Sequence, residues 1–216
     1  MDSAELEESS SSPNDKRNIS SITEGAGGGQ CEIMLTDGSS FYVRPKTLHT
    51  PPFKGIKEGD RVSEALYQLL VEETITFAAK RKALDYLARR EHSRFELRRK
   101  LLHKEFPRPQ VETVLDECEQ AGYLDDQRFA RLWAESRIKK RTEGPVKVAA
   151  KLAEKGVSRE IADKVVAELF TDKVIETSLR AAEEKGRRQH GEDEAKVVKY
   201  LFSRGFTMEH IYTYRR

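Results

Sequence analysis

The sequence predicts a mainly α-helical protein: an elongated array of three tandem three-helix repeats preceded by a small β-hairpin extension. Between residues 79 and 152, apolar residues recur every three or four positions, which is the spacing of amphipathic helices. Leu101, Leu152 and Leu201 lie 51 and 49 residues apart, and each is followed five residues later by another apolar residue. Self-similarity of this length indicates stacked modules that share their cores.

The N-terminal part of the chain differs in composition from the rest. Residues 1–29 are rich in serine, glycine and acidic residues and are predicted to form a disordered tail, because such composition buries too little apolar surface. Residues 30–61 are predicted to form the β-hairpin extension and a connector, with Asp37 and Gly38 at the turn. A lone hairpin is marginal in water, so we expect a helix or a third short strand to pack on it.

Start signals divide the remaining chain into helices. Ser63 caps a lead-in helix, and the β-branched run at residues 74–76 suggests a break within it. Ser93 and Glu96 form a capping box, in which the serine accepts the Glu96 amide proton and the glutamate reaches back to the Ser93 amide. The expected units are repeat 1 with its lead-in helix at residues 62–122, repeat 2 at 123–170 and repeat 3 at 171–216.

The second repeat begins with a clear N-terminal signal. Asp125 is a favourable N-cap, and Leu124 and Phe129 occupy the positions of a hydrophobic staple. Other helix starts are predicted with Pro109 as the first helical residue and with Ser158 and Thr207 as N-caps. The residues expected in the helical core include Leu101, Phe129, Trp133 and Leu152. Trp133 shares the apolar stripe of Phe129 and Leu132, which favours packing over nucleotide stacking.

Charge is distributed unevenly along a chain whose formal net charge is only +2. Residues 80–151 carry 19 basic and 12 acidic side chains, whereas residues 1–79 carry 7 and 13. The basic centre indicates a polyanionic partner, although helix surfaces also carry charge for solvation alone. No apolar run is long enough to span a membrane, and the acidic N-terminus lacks the features of a signal peptide. Cys31 and Cys118 are therefore predicted to be reduced thiols in a cytoplasmic protein.

The sequence contains no recognisable catalytic constellation. The glycine run at residues 25–29 lacks the lysine and helix of a phosphate-binding loop, and the five histidines lack metal-ligand spacing. Asp125 and Asp126 are better explained by helix capping than by general acid–base catalysis. We therefore predict a protein that is not an enzyme and that uses no metal and no cofactor.

Basic residues of repeats 1 and 2 are instead the candidate binding residues. Some of them share a helix face, as Arg137 and Lys140 do at a spacing of three residues. The predicted basic patch comprises Arg89, Arg90, Arg94, Arg98, Arg99, Lys100, Arg131, Arg137, Lys139, Lys140, Arg141 and Lys147.

Three motifs in the same region resemble those of the RecX family, which regulates the bacterial recombinase RecA. They are L-x-x-R-x-x-S-x-x-E-L-x-x-K-L at residues 87–101, G-x-L-D-D-x-R-F-A at 122–130 and G-P at 144–145. The resemblance covers about residues 62–216 and implies tandem three-helix repeats. It also implies a bacterial, non-enzymatic protein of homologous recombination, DNA repair and the SOS response. Such a protein binds the RecA filament on single-stranded DNA and hinders its ATP hydrolysis and strand exchange.

Two other functions are compatible with a basic helical protein. One is a sequence-specific helix-turn-helix DNA-binding protein, although Asn and Gln, which read base edges, are scarce in the helices. The other is a helical protein-interaction scaffold with no role on nucleic acid. The RecX-like function predicts sequence-independent binding to single- and double-stranded DNA, by a protein that we expect to be a monomer.

Overall fold

A computed structural model of the chain describes residues 17–25 and 29–214. Its elements are three strands followed by helices: β1 Ile19–Glu24, β2 Cys31–Leu35, β3 Ser40–Val43, α1 Pro45–Leu48, α2 Glu64–Leu87, α3 Arg94–Leu102, α4 Arg108–Gln120, α5 Asp126–Arg141, α6 Pro145–Glu154, α7 Arg159–Leu169, α8 Asp172–His190, α9 Glu194–Ser203 and α10 Met208–Tyr214. The fold is therefore mainly α-helical with a small N-terminal sheet, as predicted. The chain divides into two compact units between Arg81 and Lys82.

The N-terminal unit is built on a three-stranded antiparallel sheet with the order β1-β2-β3. Ile33 in the central strand pairs with Ile22 of β1 and Phe41 of β3. Its alternating apolar residues form one buried face, on which Leu70 of α2 also packs. Alternation places every second side chain on the same face, so this sheet and the first half of α2 share one core.

Strand β1 corrects one prediction and supplies the expected packing partner of the hairpin. It lies within residues 1–29, so the predicted disorder is wrong for residues 17–25, where Ile19 is only 1% exposed. The pairing of β1 with β2 provides the burial and hydrogen bonds that the composition of this segment did not indicate. The rest of the predicted tail, residues 1–16 and 26–28, lies outside the described residues.

Helix α2 is continuous, so the predicted break at residues 74–76 is wrong. The hydroxyl of Thr76 donates to the carbonyl of Glu72 one turn earlier at 2.8 Å, which satisfies a polar β-branched side chain within a helix. At the start of α2, the Ser63 hydroxyl accepts the Leu66 amide proton at 3.2 Å, as expected for a cap.

The C-terminal unit contains the helical repeats. In repeat 1, α3 and α4 bury Leu97, Leu101, Val114 and Leu115 completely. Repeat 2 comprises α5–α7 around Phe129 and Leu152, and repeat 3 comprises α8–α10 around residues that include Leu179, Leu201 and Phe206. Leu101, Leu152 and Leu201 are all 0% exposed, so the leucines that revealed the repeat are core residues.

Most predicted helix starts are confirmed by hydrogen bonds. The side chains of Ser93, Asp125 and Ser158 accept amide protons from the first turns of α3, α5 and α7, and Thr207 accepts the His210 amide proton at 3.3 Å. Pro109 is the second rather than the first residue of α4, because Pro107 takes the cap position.

The apolar stripe of α5 is narrower than predicted. Trp133 is only partly buried, although it packs against the repeat 2 core, and Leu132 is 50% exposed. Leu132 is three residues after the buried Phe129, but it falls beside the stripe that Phe129, Ala130 and Ala134 present to the core. Trp133 thus lies at the edge of the core.

Candidate functional site

Much of the predicted basic patch of repeat 1 is engaged in ion pairs within the repeat. Arg94 at the start of α3 reaches three carboxylates on α4: Glu112 at 3.1 Å, Asp116 at 2.7 Å and Glu119 at 2.6 Å. Arg98, one turn later, forms a two-pronged bond with Glu112 at 2.6 and 2.7 Å. Both arginines therefore join α3 to α4.

The same holds for part of the basic set in repeat 2. Arg131 of α5 pairs with Glu168 of α7. Arg137 lies 3.3 Å from the carboxylate of Glu143, which is only 3% exposed and also faces Lys151 at 3.9 Å. Arg137 also lies over the Trp133 ring, with its guanidinium carbon 4.8 Å from the ring centroid. These contacts assign Arg131 and Arg137 to the packing of repeat 2.

Loops inside the repeats meet at two equivalent junctions between neighbouring repeats. In the first, the Ser93 hydroxyl donates to the Lys155 carbonyl at 2.7 Å, and the Lys155 ammonium donates to Glu96 at 2.6 Å. In the second, the Gly144 amide donates to the Arg204 carbonyl at 2.8 Å. In the first junction the start of α3 therefore contacts the loop after α6. In the second, the start of α6 contacts the loop after α9.

Glu96 and Lys147 occupy equivalent places in these two junctions. The Glu96 carboxylate bonds to Lys155, Arg90 and His92. It therefore contributes to the first junction instead of accepting the Ser93 amide proton, as the capping box predicted. The Lys147 ammonium donates to the Ser203 carbonyl at 2.7 Å. Burial lowers the pKa of Lys147, and the nearby Arg204 lowers it further. Lys147 is therefore a junction residue.

Five members of the predicted patch have no ion-pair partner among the described residues, and we call them the outward cations: Arg89, Arg99, Lys100, Lys139 and Lys140. Arg89, Arg99, Lys139 and Lys140 are exposed, and Lys100 is half-buried. Among the described residues no carboxylate forms an ion pair with any of them. Arg90 is also exposed but is bonded to Glu96 at 3.0 Å. Arg141 ends α5, and its side chain lies outside the described structure.

A surface cleft of about 710 Å³ collects three of the predicted cations in repeat 1. The cleft is lined by Tyr86, Arg90, Glu96, Arg99, Lys100, Leu102 and His103. Tyr86 and His103 were not predicted as site residues. Tyr86 follows an apolar helical stripe, and His103 is an isolated histidine at a helix end. The one sequence signal for including them is that Tyr86 precedes and His103 follows the basic run of α3. Helix ends joined by a short loop must lie close together.

The buried His92 beside the cleft shows how the cations affect their surroundings. Its side chain is 2% exposed and lies 3.3 Å from Glu96. Burial lowers the pKa of His92, and the positive charges of Arg90 and Lys100 lower it further, whereas Glu96 opposes the shift. The lowered pKa of His92 therefore results first from burial and second from the two neighbouring cations.

The described residues contain no group of three or more His, Cys, Asp or Glu side chains placed to hold a metal ion. Across residues 17–25 and 29–214, no helix combines the length and apolar character needed to cross a membrane. Cys31 and Cys118 are both buried free thiols, and Cys118 lies on the buried face of α4 in repeat 1.

The fold and its surface define a protein of tandem three-helix repeats with basic residues on the first two repeats. Two family models match these repeats: the first three-helix domain of RecX over residues 79–118 and the second over residues 125–166. The chain is 37% identical over 126 residues to the regulatory protein RecX of a Thermus thermophilus strain, covering 58% of this chain and 82% of that protein. The chain belongs to the RecX family of regulatory proteins.

A second relative supports this assignment, and two solved structures share the fold. The regulatory protein RecX of Halorhodospira halophila is 33% identical over 140 residues, which cover 62% of this chain and 84% of that protein. A crystal structure of a regulatory protein RecX superposes with a TM-score of 0.79 at 22% identity, covering 92% of this chain and 98% of that one. RecX from Lactobacillus salivarius gives a TM-score of 0.59 at 20% identity, covering 65% and 94%. At these identities the two structures support the fold alone.

Proposed function

We propose that this protein binds the RecA filament on single-stranded DNA and slows its ATP hydrolysis and strand exchange. The observation that carries the proposal is membership of the RecX family, with 37% identity across 82% of the Thermus thermophilus regulatory protein. The protein acts as a non-enzymatic regulator in the bacterial cytoplasm, as a monomer, and contacts single- and double-stranded DNA without sequence preference.

The outward cations are the proposed contact with the filament. They lie on repeats 1 and 2, and no described carboxylate neutralises them. Cationic side chains of this kind bind polyanions with release of counterions. The ion-paired residues Arg94, Arg98 and Arg131 join neighbouring helices instead, and Arg137 pairs with Glu143 of the loop that follows α5. Contacts of Arg90 and Lys147 within the unit assign them a structural role as well.

The test is a RecA ATPase assay on single-stranded DNA with this protein titrated in. We expect the wild-type protein to lower ATP turnover. The variant with Arg99, Lys100, Lys139 and Lys140 changed to Glu should lose most of this inhibition, because four contacts become repulsive. The matched control changes the exposed residues Lys164, Lys173, Lys185 and Lys199 to Glu, which gives the same total charge outside the patch.

Circular dichroism spectra and melting temperatures are the check that both variants are folded before the assay. Arg98 and Arg137 are left unchanged, because a glutamate at either position would face Glu112 or the buried Glu143 and destabilise the unit. Equal inhibition by both variants would exclude the outward cations as the contact. A wild-type protein that neither binds filaments nor changes their ATP turnover would refute the function.

A further inference from the structure

The cleft of repeat 1 has the composition of a phosphate-binding site. Three basic side chains, Arg90, Arg99 and Lys100, line it with one carboxylate, Glu96, and His103 adds an imidazole. Glu96 is already bonded to Lys155 at 2.6 Å and Arg90 at 3.0 Å. Its charge is therefore neutralised within the protein, and the cleft retains the positive charge of Arg99 and Lys100.

The cationic ends of Arg99 and Lys100 rest on aromatic rings. The Lys100 ammonium lies 4.5 Å from the centroid of the Tyr86 ring, and the Arg99 guanidinium carbon lies 5.7 Å from that of Phe95. Contacts of this kind at exposed sites are individually weak. A phosphate can therefore compete for both cations without breaking an ion pair.

The walls of the cleft also include apolar surface. Tyr86 and Leu102 line it beside the cations, and Leu102 is 38% exposed. A nucleotide combines an anionic phosphate with a sugar and a flat base, which suits a cleft that has both kinds of wall. A volume of about 710 Å³ falls within the usual size of small-ligand sites, roughly 300–1,000 Å³. An acidic peptide side chain would use the cations but would leave the apolar walls uncovered.

We infer that this cleft is a nucleotide subsite for single-stranded nucleic acid. Arg99 and Lys100 bind a backbone phosphate while Tyr86 and Leu102 cover the adjoining sugar and base. A duplex keeps its bases stacked inside and cannot place one in the cleft, so single strands are preferred. The inference rests on the proposed role at a DNA filament and adds the place where the strand itself is held.

The test measures binding of a fluorescently labelled oligothymidylate by anisotropy at several salt concentrations. The cleft variant changes Arg99 and Lys100 to Glu, and the control changes the exposed Lys164 and Lys173 to Glu. We expect the cleft variant to bind about ten-fold more weakly or worse, with the slope of log affinity against log salt reduced by about 1–2. The control should stay near the wild-type affinity.

A neutral pair, Arg99→Gln with Lys100→Gln, provides a second variant should the reversed charges disturb folding, and it is expected to weaken binding in the same direction. Equal losses in the cleft variant and the control, or no loss in either, would overturn the subsite. Competition by duplex DNA or polyglutamate as strong as by unlabelled oligothymidylate would overturn the single-strand assignment. Equally strong competition by thymidine monophosphate would overturn it too, and would assign the cleft to free nucleotides instead.

The two proposals fail in different ways. If the cleft variant binds oligothymidylate normally while the wild-type protein still inhibits RecA, the subsite is wrong and the proposed function stands. If the cleft variant loses oligothymidylate binding but the wild-type protein has no effect on RecA, the subsite stands and the proposed function fails.

Discussion

At the scale of single residues, ion pairing within the fold decides which basic side chains are structural. Arg94 contacts three carboxylates of α4 and is only 22% exposed, whereas Lys139 and Lys140 on α5 are exposed. Charged pairs that lose contact with water must stay paired, because removal of one partner leaves a desolvated charge. Positive charge in the sequence is therefore a poor guide to the binding surface until its partners are known.

The structural role of a charge at the first junction can be tested at Glu96 through the pH dependence of stability. Burial raises the pKa of Glu96, but hydrogen bonds from Lys155 and Arg90 outweigh burial and leave the pKa below its ordinary value of 4.5. A carboxyl group with a lowered folded-state pKa stabilises the protein above its unfolded pKa, and this stabilisation is lost as the pH falls through the folded value.

We expect Glu96→Gln to lower the free energy of unfolding by about 1–3 kcal/mol at neutral pH. The difference from wild type should shrink as the pH falls below 4.5, because the wild-type carboxyl is then also neutralised. Urea denaturation across a pH series measures this. Glu184→Gln removes an exposed pair with Arg188 and serves as a control that should change stability little. A difference that does not vary with pH would mean that the Glu96 charge is not what stabilises the junction.

At the scale of elements, each helix begins with a local signal and is then tied to its neighbour by a loop. Gly156 and Gly205 follow the middle helices of repeats 2 and 3, with φ values of +77° and +91°. A β-carbon at Gly156 would overlap the β-carbon of Phe95 in α3, and one at Gly205 would overlap Lys147 in α6. These glycines thus serve both the helix end and the contact between repeats.

Alanine substitutions separate these two roles. Gly122 also has a positive φ, +72°, but a β-carbon there meets nothing within 4 Å. Gly122→Ala should therefore cost only the backbone strain, about 1–2 kcal/mol. Gly156→Ala should cost clearly more, because the overlap with Phe95 adds to a similar strain. Thermal and urea unfolding of the two variants provide the comparison, and equal losses would show that the approach of Gly156 to Phe95 contributes nothing.

At the scale of the molecule, the repeat places equivalent leucines in equivalent cores. Leu101, Leu152 and Leu201 are fully buried in the middle helices of their repeats, although the loops and ion pairs around them differ. The two junctions show the same relation: Glu96 pairs with Lys155 in the first, and Lys147 bonds to the Ser203 carbonyl in the second. The apolar positions thus repeat more faithfully than the charges.

The core assignment makes a quantitative prediction. Leu152→Ala should lower the free energy of unfolding by about 2–5 kcal/mol, because it removes buried methyl groups and leaves a cavity. Leu132→Ala provides the matched control, since Leu132 is a leucine of the same repeat that is 50% exposed, and should change stability by about 0.5 kcal/mol or less. Chemical denaturation followed by circular dichroism measures both. Similar losses for the two variants would contradict the assignment of Leu152 to the core.

The sequence by itself determined the helical repeats, most helix starts and the core leucines. These features depend on interactions between near neighbours, such as a cap side chain bonding to an amide three residues later, or on a periodicity that needs no knowledge of the partner. It also indicated the hairpin and its need for a partner. It did not identify β1, because strand pairing supplied contacts that composition alone does not reveal.

Only the tertiary structure decided which cations are available to a partner. Arg94 and Asp116 are 22 residues apart, and Lys155 and Glu96 are 59 residues apart, so their pairing depends on how helices pack. The cleft of repeat 1 likewise combines the end of α2 with the outer face of α3. Periodicity and capping act over a few residues and are visible in one dimension, whereas desolvation and ion pairing depend on distances that folding alone creates.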